Sequence, residues 1–213
     1  MNLVFPRLYA IIDPTFLSFS ELALAEALAE SGVQLIQYRD KTGTSRQFFE
    51  VSRQLSNVLS PRGVRFIVND RADIALLANA GGVHVGQEDL GVEEARAVCG
   101  GDRWVGVSTH NFEQLAAAEH TSADYIAFGP VFPTATKKNP DPVVGTELLR
   151  QARKLTKKPL VAIGGITLER AAEVYRAGAD SLAVIRDLIC APDPGAQARK
   201  YLDVAASAAV RQE

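Results

Sequence analysis

Eight short apolar runs recur along this 213-residue chain, each followed by a stretch of helical spacing, with no linker between units. Each run empties into polar residues, while the segments that precede the runs are ordinary turns. These regularities predict an α/β protein of the (β/α)₈ barrel class, one domain over 1–213. Crossovers of this length force parallel strands, and eight of them can close. A doubly wound sheet is the rival, but it would need one half to look unlike the other, and here every unit looks alike. At 47% hydrophobic and 23% charged the chain can bury a core, and a net charge of -2 without a basic stripe makes nucleic acid an unexpected partner.

The elements follow in order. Run 8–12 is apolar throughout, as in a strand buried on both faces, and stops at Asp13-Pro14. Ser18 and Glu21 have capping-box spacing ahead of an Ala/Leu-rich helix to Glu30. Strand 33–38 leads to Arg39 and Lys41, and Thr44 with Gln47 caps a helix to Leu59. Strand 65–68 ends in Asn69-Asp70 before a short helix, 72–79; strand 82–85 ends in Gly86 and Asp89 before helix 92–98. Strand 104–107 leads to Ser108 and His110, then helix 111–119. Strand 125–128 runs into a long loop holding Thr134, Thr136, Lys137 and Lys138, followed by helix 146–155. Strand 160–163 ends in Gly164-Gly165 before helix 168–177, and strand 181–185 ends at Arg186. An alanine-rich tail, 195–213, reads as a closing helix.

The N-terminal MNLVFPRLYAIID lacks the features of a signal peptide, and no segment approaches 18 uninterrupted apolar residues. Cys99 and Cys190 form no metal-spaced pair and read as buried thiols of a reducing compartment. A cytoplasmic protein away from membranes is expected.

Barrel enzymes carry their chemistry on the C-terminal rim of the strands, and the polar residues bunch there. Asp70 and Asp89 end neighbouring strands, so their carboxylates could share one hard cation, and oxygen ligands point to Mg²⁺ rather than zinc. The competing reading makes each a turn or cap residue. Arg39, Lys41 and Lys137 could surround a polyphosphate. Bare backbone at Gly164-Gly165 offers a second anion cradle. Two anion sites, one with a metal, suggest two phosphorylated substrates rather than hydrolysis. Among the histidines, His84 reads as packed core, His110 as a rim base or donor, and His120 as surface on the far end.

Six stretches, QYRDK at 37–41, VND at 68–70, GVHVGQED at 82–89, GVSTH at 106–110, GPVFPTATK at 129–137 and VAIGGI at 161–166, resemble the thiamine-phosphate synthase family, in order and at barrel spacing. The resemblance covers nearly the whole chain. It implies an enzyme, a transferase, that joins 4-amino-5-hydroxymethyl-2-methylpyrimidine diphosphate to 4-methyl-5-(2-phosphoethyl)thiazole and releases diphosphate by a dissociative route. It also implies Mg²⁺ ligands at Asp70 and Asp89, with pyrimidine-diphosphate contacts at Arg39, Lys41, Asn69, Ser108 and Lys137 and Gln37 near the pyrimidine. Of these, Arg39, Lys41, Ser108 and Lys137 are the expected catalytic groups. Thr134, Thr136 and Gly165 resemble the thiazole-phosphate contacts, joined by backbone around Val184, Ile185 and Arg186. Loop 130–138 is the candidate lid.

Arg186 and Asp187 depart from the serine and small residue often found after the last strand of that family, which leaves the thiazole side less well defined. A thiazole tautomerase of the same fold is the nearest rival, and it could use His110 as its base. Arg39, Lys41, Asn69, Asp70 and Asp89 count against it, because an isomerase expels no diphosphate. A phosphosugar-type barrel sharing only the glycine cradle and a non-catalytic barrel that binds a thiamine precursor are further alternatives. Small-molecule substrates are the expected partners, and whether the chain forms a homo-oligomer stays open.

Overall fold

The computed structural model describes residues 5–134, 136 and 141–209. The apolar runs form eight parallel strands: β1 (Leu8–Ile12), β2 (Leu35–Tyr38), β3 (Arg65–Asn69), β4 (Gly82–Val85), β5 (Trp104–Thr109), β6 (Tyr125–Phe128), β7 (Leu160–Ala162) and β8 (Ser181–Val184). They pair in chain order and close, β1 taking β2 on one side and β8 on the other, so the doubly wound alternative is excluded. Around them lie α1 (Glu21–Glu30), α2 (Ser45–Leu59), α3 (Ala72–Leu77), α4 (Val92–Cys99), α5 (Phe112–Glu119), α6 (Gly145–Leu155) and α7 (Leu168–Arg176), then a four-residue turn of helix α8 (Arg186–Ile189) and the closing α9 (Pro194–Ala209). Among the described residues no helix is long and apolar enough to cross a membrane.

Side chains alternate across each strand, so every strand serves two apolar layers. In β1, Leu8, Ala10 and Ile12 pack outward against the helices, while Tyr9 and Ile11 point into the lumen. The N-terminal mouth is plugged. Phe5 stacks on Trp104 at 5.2 Å between ring centroids, and the Arg65 guanidinium lies over the same indole at 4.0 Å. That plug leaves the opposite mouth as the open one.

Local caps account for some of the helix starts. Thr44 accepts from the Gln47 N–H at 3.2 Å and Gln47 Oε1 accepts from the Thr44 N–H at 2.9 Å, a complete capping box for α2. The box expected at Ser18–Glu21 does not form. Asp13 caps a short 3-10 turn, Pro14–Phe16, and the chain enters α1 two residues later than its spacing suggests. Ser20 is the cap, accepting from Leu22 N–H at 3.2 Å, and Glu21, now the first helical residue, is too early to reach back. Nor are both cysteines buried. Cys99 is, on α4, whereas Cys190 is exposed because it ends α8 on the open rim.

The Asp187 carboxylate ties the last units together. It accepts from the Leu168 N–H at 3.1 Å, Gln197 Nε2 at 3.0 Å and the Tyr201 hydroxyl at 2.6 Å, joining α8 to α7 and α9. The departure from a small residue there therefore has a structural account.

Gly106 is required by close packing inside the lumen, where the Tyr125 ring occupies the place a Cβ would take. Gly106→Ala is expected to cost about 1–3 kcal/mol of stability through overpacking, read as a lower urea midpoint at unchanged slope. An unshifted midpoint would mean that the Tyr125 ring can move aside.

Candidate active site

The open mouth holds two adjoining cavities. The larger, about 560 Å³, is bordered by Gln37, Asn69 and Ser108 from the strands, Thr134 and Thr136 from the loop after β6, and Gly164 and Gly165 after β7. The smaller, about 260 Å³, is bordered by Lys41, Asp70 and Asp89. Asn69, nearly buried at the end of β3, forms part of both walls.

The smaller lobe concentrates charge. Asp70 sits in the left-handed region at φ 61°, held there by its N–H donating to the His84 carbonyl at 2.7 Å. Its carboxylate is paired with the Lys41 ammonium. Burial pushes the Asp70 carboxyl above its usual range and nearby Asp89 adds to that, while Lys41 opposes both. Asp89 is oriented by the Gly86 N–H, which donates to its Oδ2 at 2.8 Å. Two neighbouring carboxylates with oxygen-only donors suit a hard divalent cation. Among the described residues no group of three or more His, Cys, Asp or Glu could hold a metal. A cation at this pair would thus draw its remaining ligands from water or a ligand's oxygens, a habit of Mg²⁺.

Under the larger lobe runs a buried polar chain across the barrel. Gln37 Nε2 donates to the Tyr9 hydroxyl at 2.6 Å, and the Tyr9 and Tyr125 hydroxyls lie 2.8 Å apart. Tyr125 Oη meets His84 Nδ1 at 3.1 Å, and His84 Nε2 meets Ser108 Oγ at 2.8 Å. Burial raises both phenols well above their usual range and lowers the imidazole to about 4, against the opposing pull of the Asp89 charge. The members of this chain are therefore neutral at ordinary pH. Tyr9 and Tyr125 escaped the reading of the sequence, because a tyrosine inside an apolar run looks like core. Their inward phase, opposite to Leu8 and Ile126, was the available signal.

On the remaining rim, Arg39 is paired with Asp13, whose side chain is almost fully buried. Thr134 and Thr136 face each other, their hydroxyls 3.3 Å apart. Gly164 and Gly165 adopt φ 88° and 64°, and at both a side chain would strike the loop after β6. Arg186 borders the larger cavity, its guanidinium 5.4 Å from the Phe16 ring centroid. Arg170, not anticipated, also borders it, donating to the Gly165 carbonyl at 2.9 Å and lying over Phe132 at 4.5 Å. Its place in the first turn of α7, just past the glycine pair, was the clue.

His110 is committed on both sides: Nδ1 lies 2.6 Å from the Gly129 carbonyl and Nε2 lies 3.5 Å from Asp141 Oδ2. His120 is exposed at the C-terminal end of α5. The Val184 side chain packs outward in the helix layer, while Ala183 and Ile185 border the cavity. Lys137 and Lys138 lie outside the described residues, and with them part of the candidate lid.

Fold and site together define a (β/α)₈ barrel of the enzyme type, with its charged and polar side chains gathered at the C-terminal mouth. The thiamine monophosphate synthase family model matches residues 8–188. The thiamine-phosphate synthase of Koribacter versatilis is 49% identical over 210 residues, covering 95% of this chain and 97% of that protein. That of Methanospirillum hungatei is 40% identical, covering 92% and 96%. The structure of thiamine phosphate pyrophosphorylase from Pyrococcus furiosus superposes with a TM-score of 0.87 at 32% identity, covering 95% of this chain and 96% of that one. The chain belongs to the thiamine monophosphate synthase family.

Asp13→Asn keeps an acceptor for the Thr15 N–H, now 3.0 Å from Asp13 Oδ1, but leaves the partly exposed Arg39 guanidinium without its counter-charge. A loss of about 1–3 kcal/mol is expected in chemical denaturation. An unchanged midpoint would mean that Arg39 is held by other contacts.

Proposed function

We propose that this chain is a thiamine-phosphate synthase, transferring the pyrimidine methylene of 4-amino-5-hydroxymethyl-2-methylpyrimidine diphosphate to the nitrogen of 4-methyl-5-(2-phosphoethyl)thiazole. The observation that carries the reading is the meeting of two unlike lobes at Asn69: one small and ionic, one larger with a neutral floor and a glycine cradle. Diphosphate would lie toward Lys41, Asp70 and Asp89 with its bridging oxygen near Ser108, and the pyrimidine over Gln37. The thiazole phosphate would lie toward Gly165, Thr134 and Thr136. Arg170 and Arg186 flank that end of the cavity and add positive charge.

The chemistry asks little covalent work of the protein. The carbon–oxygen bond breaks with its electron pair leaving on diphosphate, and the thiazole nitrogen lone pair then forms the new carbon–nitrogen bond. Attack by a lone pair requires no proton to leave that nitrogen. The commitment of His110 to Gly129 and Asp141 is in keeping with the absence of a protein base. Asp70 and Asp89 would hold Mg²⁺, which supplies charge neutralisation for the departing diphosphate when bound. Arg39 and Lys41 would stabilise the same developing charge, as would Lys137, whose assignment rests on the family resemblance. An apolar wall of Ile11, Ala127, Ile163 and Ala183 would keep water from the carbocation. The proposed partners are the two substrates. A cytoplasmic location belongs to the same reading and is in keeping with two unpaired cysteines.

Purified protein given both substrates and Mg²⁺ should release diphosphate and form thiamine phosphate in equal amounts, and should do neither when one substrate or the metal is withheld. No release, with a change in the absorbance of a carboxythiazole phosphate instead, would move the assignment to an isomerase. Asp89→Ala is expected to lower the Mg²⁺-dependent rate by at least about 100-fold, the scale of losing a metal's charge stabilisation, with the circular dichroism spectrum unchanged. Undiminished turnover at low Mg²⁺ would refute the metal assignment.

A further inference from the structure

We propose that Tyr9, Tyr125 and His84 are positioning residues. They form a one-directional hydrogen-bond chain that holds His84 as its Nε2–H tautomer, turning the Gln37 carbonyl oxygen and the Ser108 hydroxyl proton toward the substrate. The chain crosses the barrel floor on side chains from five strands, β2, β1, β6, β4 and β5.

Its direction follows from its first member. An amide nitrogen only donates, so Tyr9 Oη is an acceptor for Gln37 Nε2 at 2.6 Å. The Tyr9 proton then goes to Tyr125 Oη, 2.8 Å away. Tyr125, accepting there, gives its proton to His84 Nδ1 at 3.1 Å. A neutral imidazole that accepts at Nδ1 carries its proton on Nε2, which donates to Ser108 Oγ at 2.8 Å. The Ser108 hydroxyl proton is left over. Ser108 itself cannot drift, since Gln87 Nε2 donates to its backbone carbonyl at 2.6 Å.

Burial makes the ordering strict. Gln37 is 2% exposed, Tyr9 1%, Tyr125 0% and His84 7%, so each of these groups depends on its neighbour in the chain for its inward hydrogen bonds. Each phenol has one proton and so cannot donate in both directions at once, and an imidazole that accepts at Nδ1 holds its proton at Nε2. Reversing one link requires reversing all. The reversed chain would present the Gln37 amide protons and a Ser108 lone pair to the cavity. An exocyclic amine on the substrate calls for an acceptor at Gln37, and a departing diphosphate calls for a donor at Ser108. Only the direction described supplies both. What the two ends do rests on the synthase reading; the direction of the chain does not.

Nuclear magnetic resonance of protein labelled with ¹⁵N-histidine tests the chain without substrate. His84, identified by the loss of its signals in His84→Gln, is expected to show a protonated Nε2 and a bare Nδ1. The opposite tautomer, or an imidazolium at neutral pH, would overturn the proposal. In the turnover assay, Tyr125→Phe is expected to lower kcat about tenfold, the scale of one neutral hydrogen bond, with KM for the thiazole phosphate unchanged. Tyr9→Phe is expected to raise KM for the pyrimidine diphosphate by a similar factor. Full activity in both variants would overturn the positioning role. Should either variant fail to fold, the tautomer in the native protein decides alone. Absence of diphosphate release from native protein would count against the synthase reading, and the tautomer would still report on the chain.

Discussion

Closure of eight parallel strands creates a lumen that must be filled at every level, and that requirement governs the rest of the molecule. The N-terminal level is filled by aromatic and aliphatic groups around Phe5, Trp104 and Leu35. The middle level is filled by Tyr9, Tyr125, Gln37 and His84, which are so nearly buried that most of their polar atoms must find one another. A hydrogen-bonded floor is the result, and it divides a packed interior from an open mouth. Gly106 has no side chain because Tyr125 lies across its position.

Above the floor, electrostatics separates two environments over a short distance. Lys41 answers the half-buried Asp70 carboxylate, whose ionised form burial disfavours, while Asp89 beside it has no such ion pair among the described residues. The Mg²⁺ site proposed at this pair would offset that charge and bring an anionic ligand with it. Beyond Asn69 the floor is neutral, while the rim carries Arg39 and Asp141 and, past the glycine pair, Arg170 and Arg186 beside Asp187. In the proposed function, the diphosphate end of the substrate would face the ionic lobe and its aromatic ring the neutral floor.

Legibility in the sequence followed the range of the interaction concerned. The capping box at Thr44–Gln47 formed as its spacing suggests, whereas Ser18–Glu21 did not, because a proline-led turn just upstream shifted the helix start. Residues at strand ends, such as Asn69, Ser108 and Gly165, stand at the mouth because period-two alternation and strand order place them there. Tyr9 and Tyr125 were invisible as a pair: they are 116 positions apart, and only closure sets their hydroxyls within 2.8 Å. Val184 turns its side chain to the helix layer, one residue of phase from Ala183 and Ile185, so any contact it makes with the cavity is through backbone.

By itself the sequence determined that this would be a closed (β/α)₈ barrel with its polar residues on one rim, since repeated apolar runs and helical periods leave few other ways to bury the chain. Its motifs also determined the family. The tertiary structure decided which polar atoms pair across the lumen, that Arg39 answers Asp13, that Asp187 joins three helices, and that Cys190 faces the mouth rather than the core. The physical reason is common to all of them. Local patterns specify which face of an element is buried, but a partner for a buried polar group is specified only when distant strands are brought side by side.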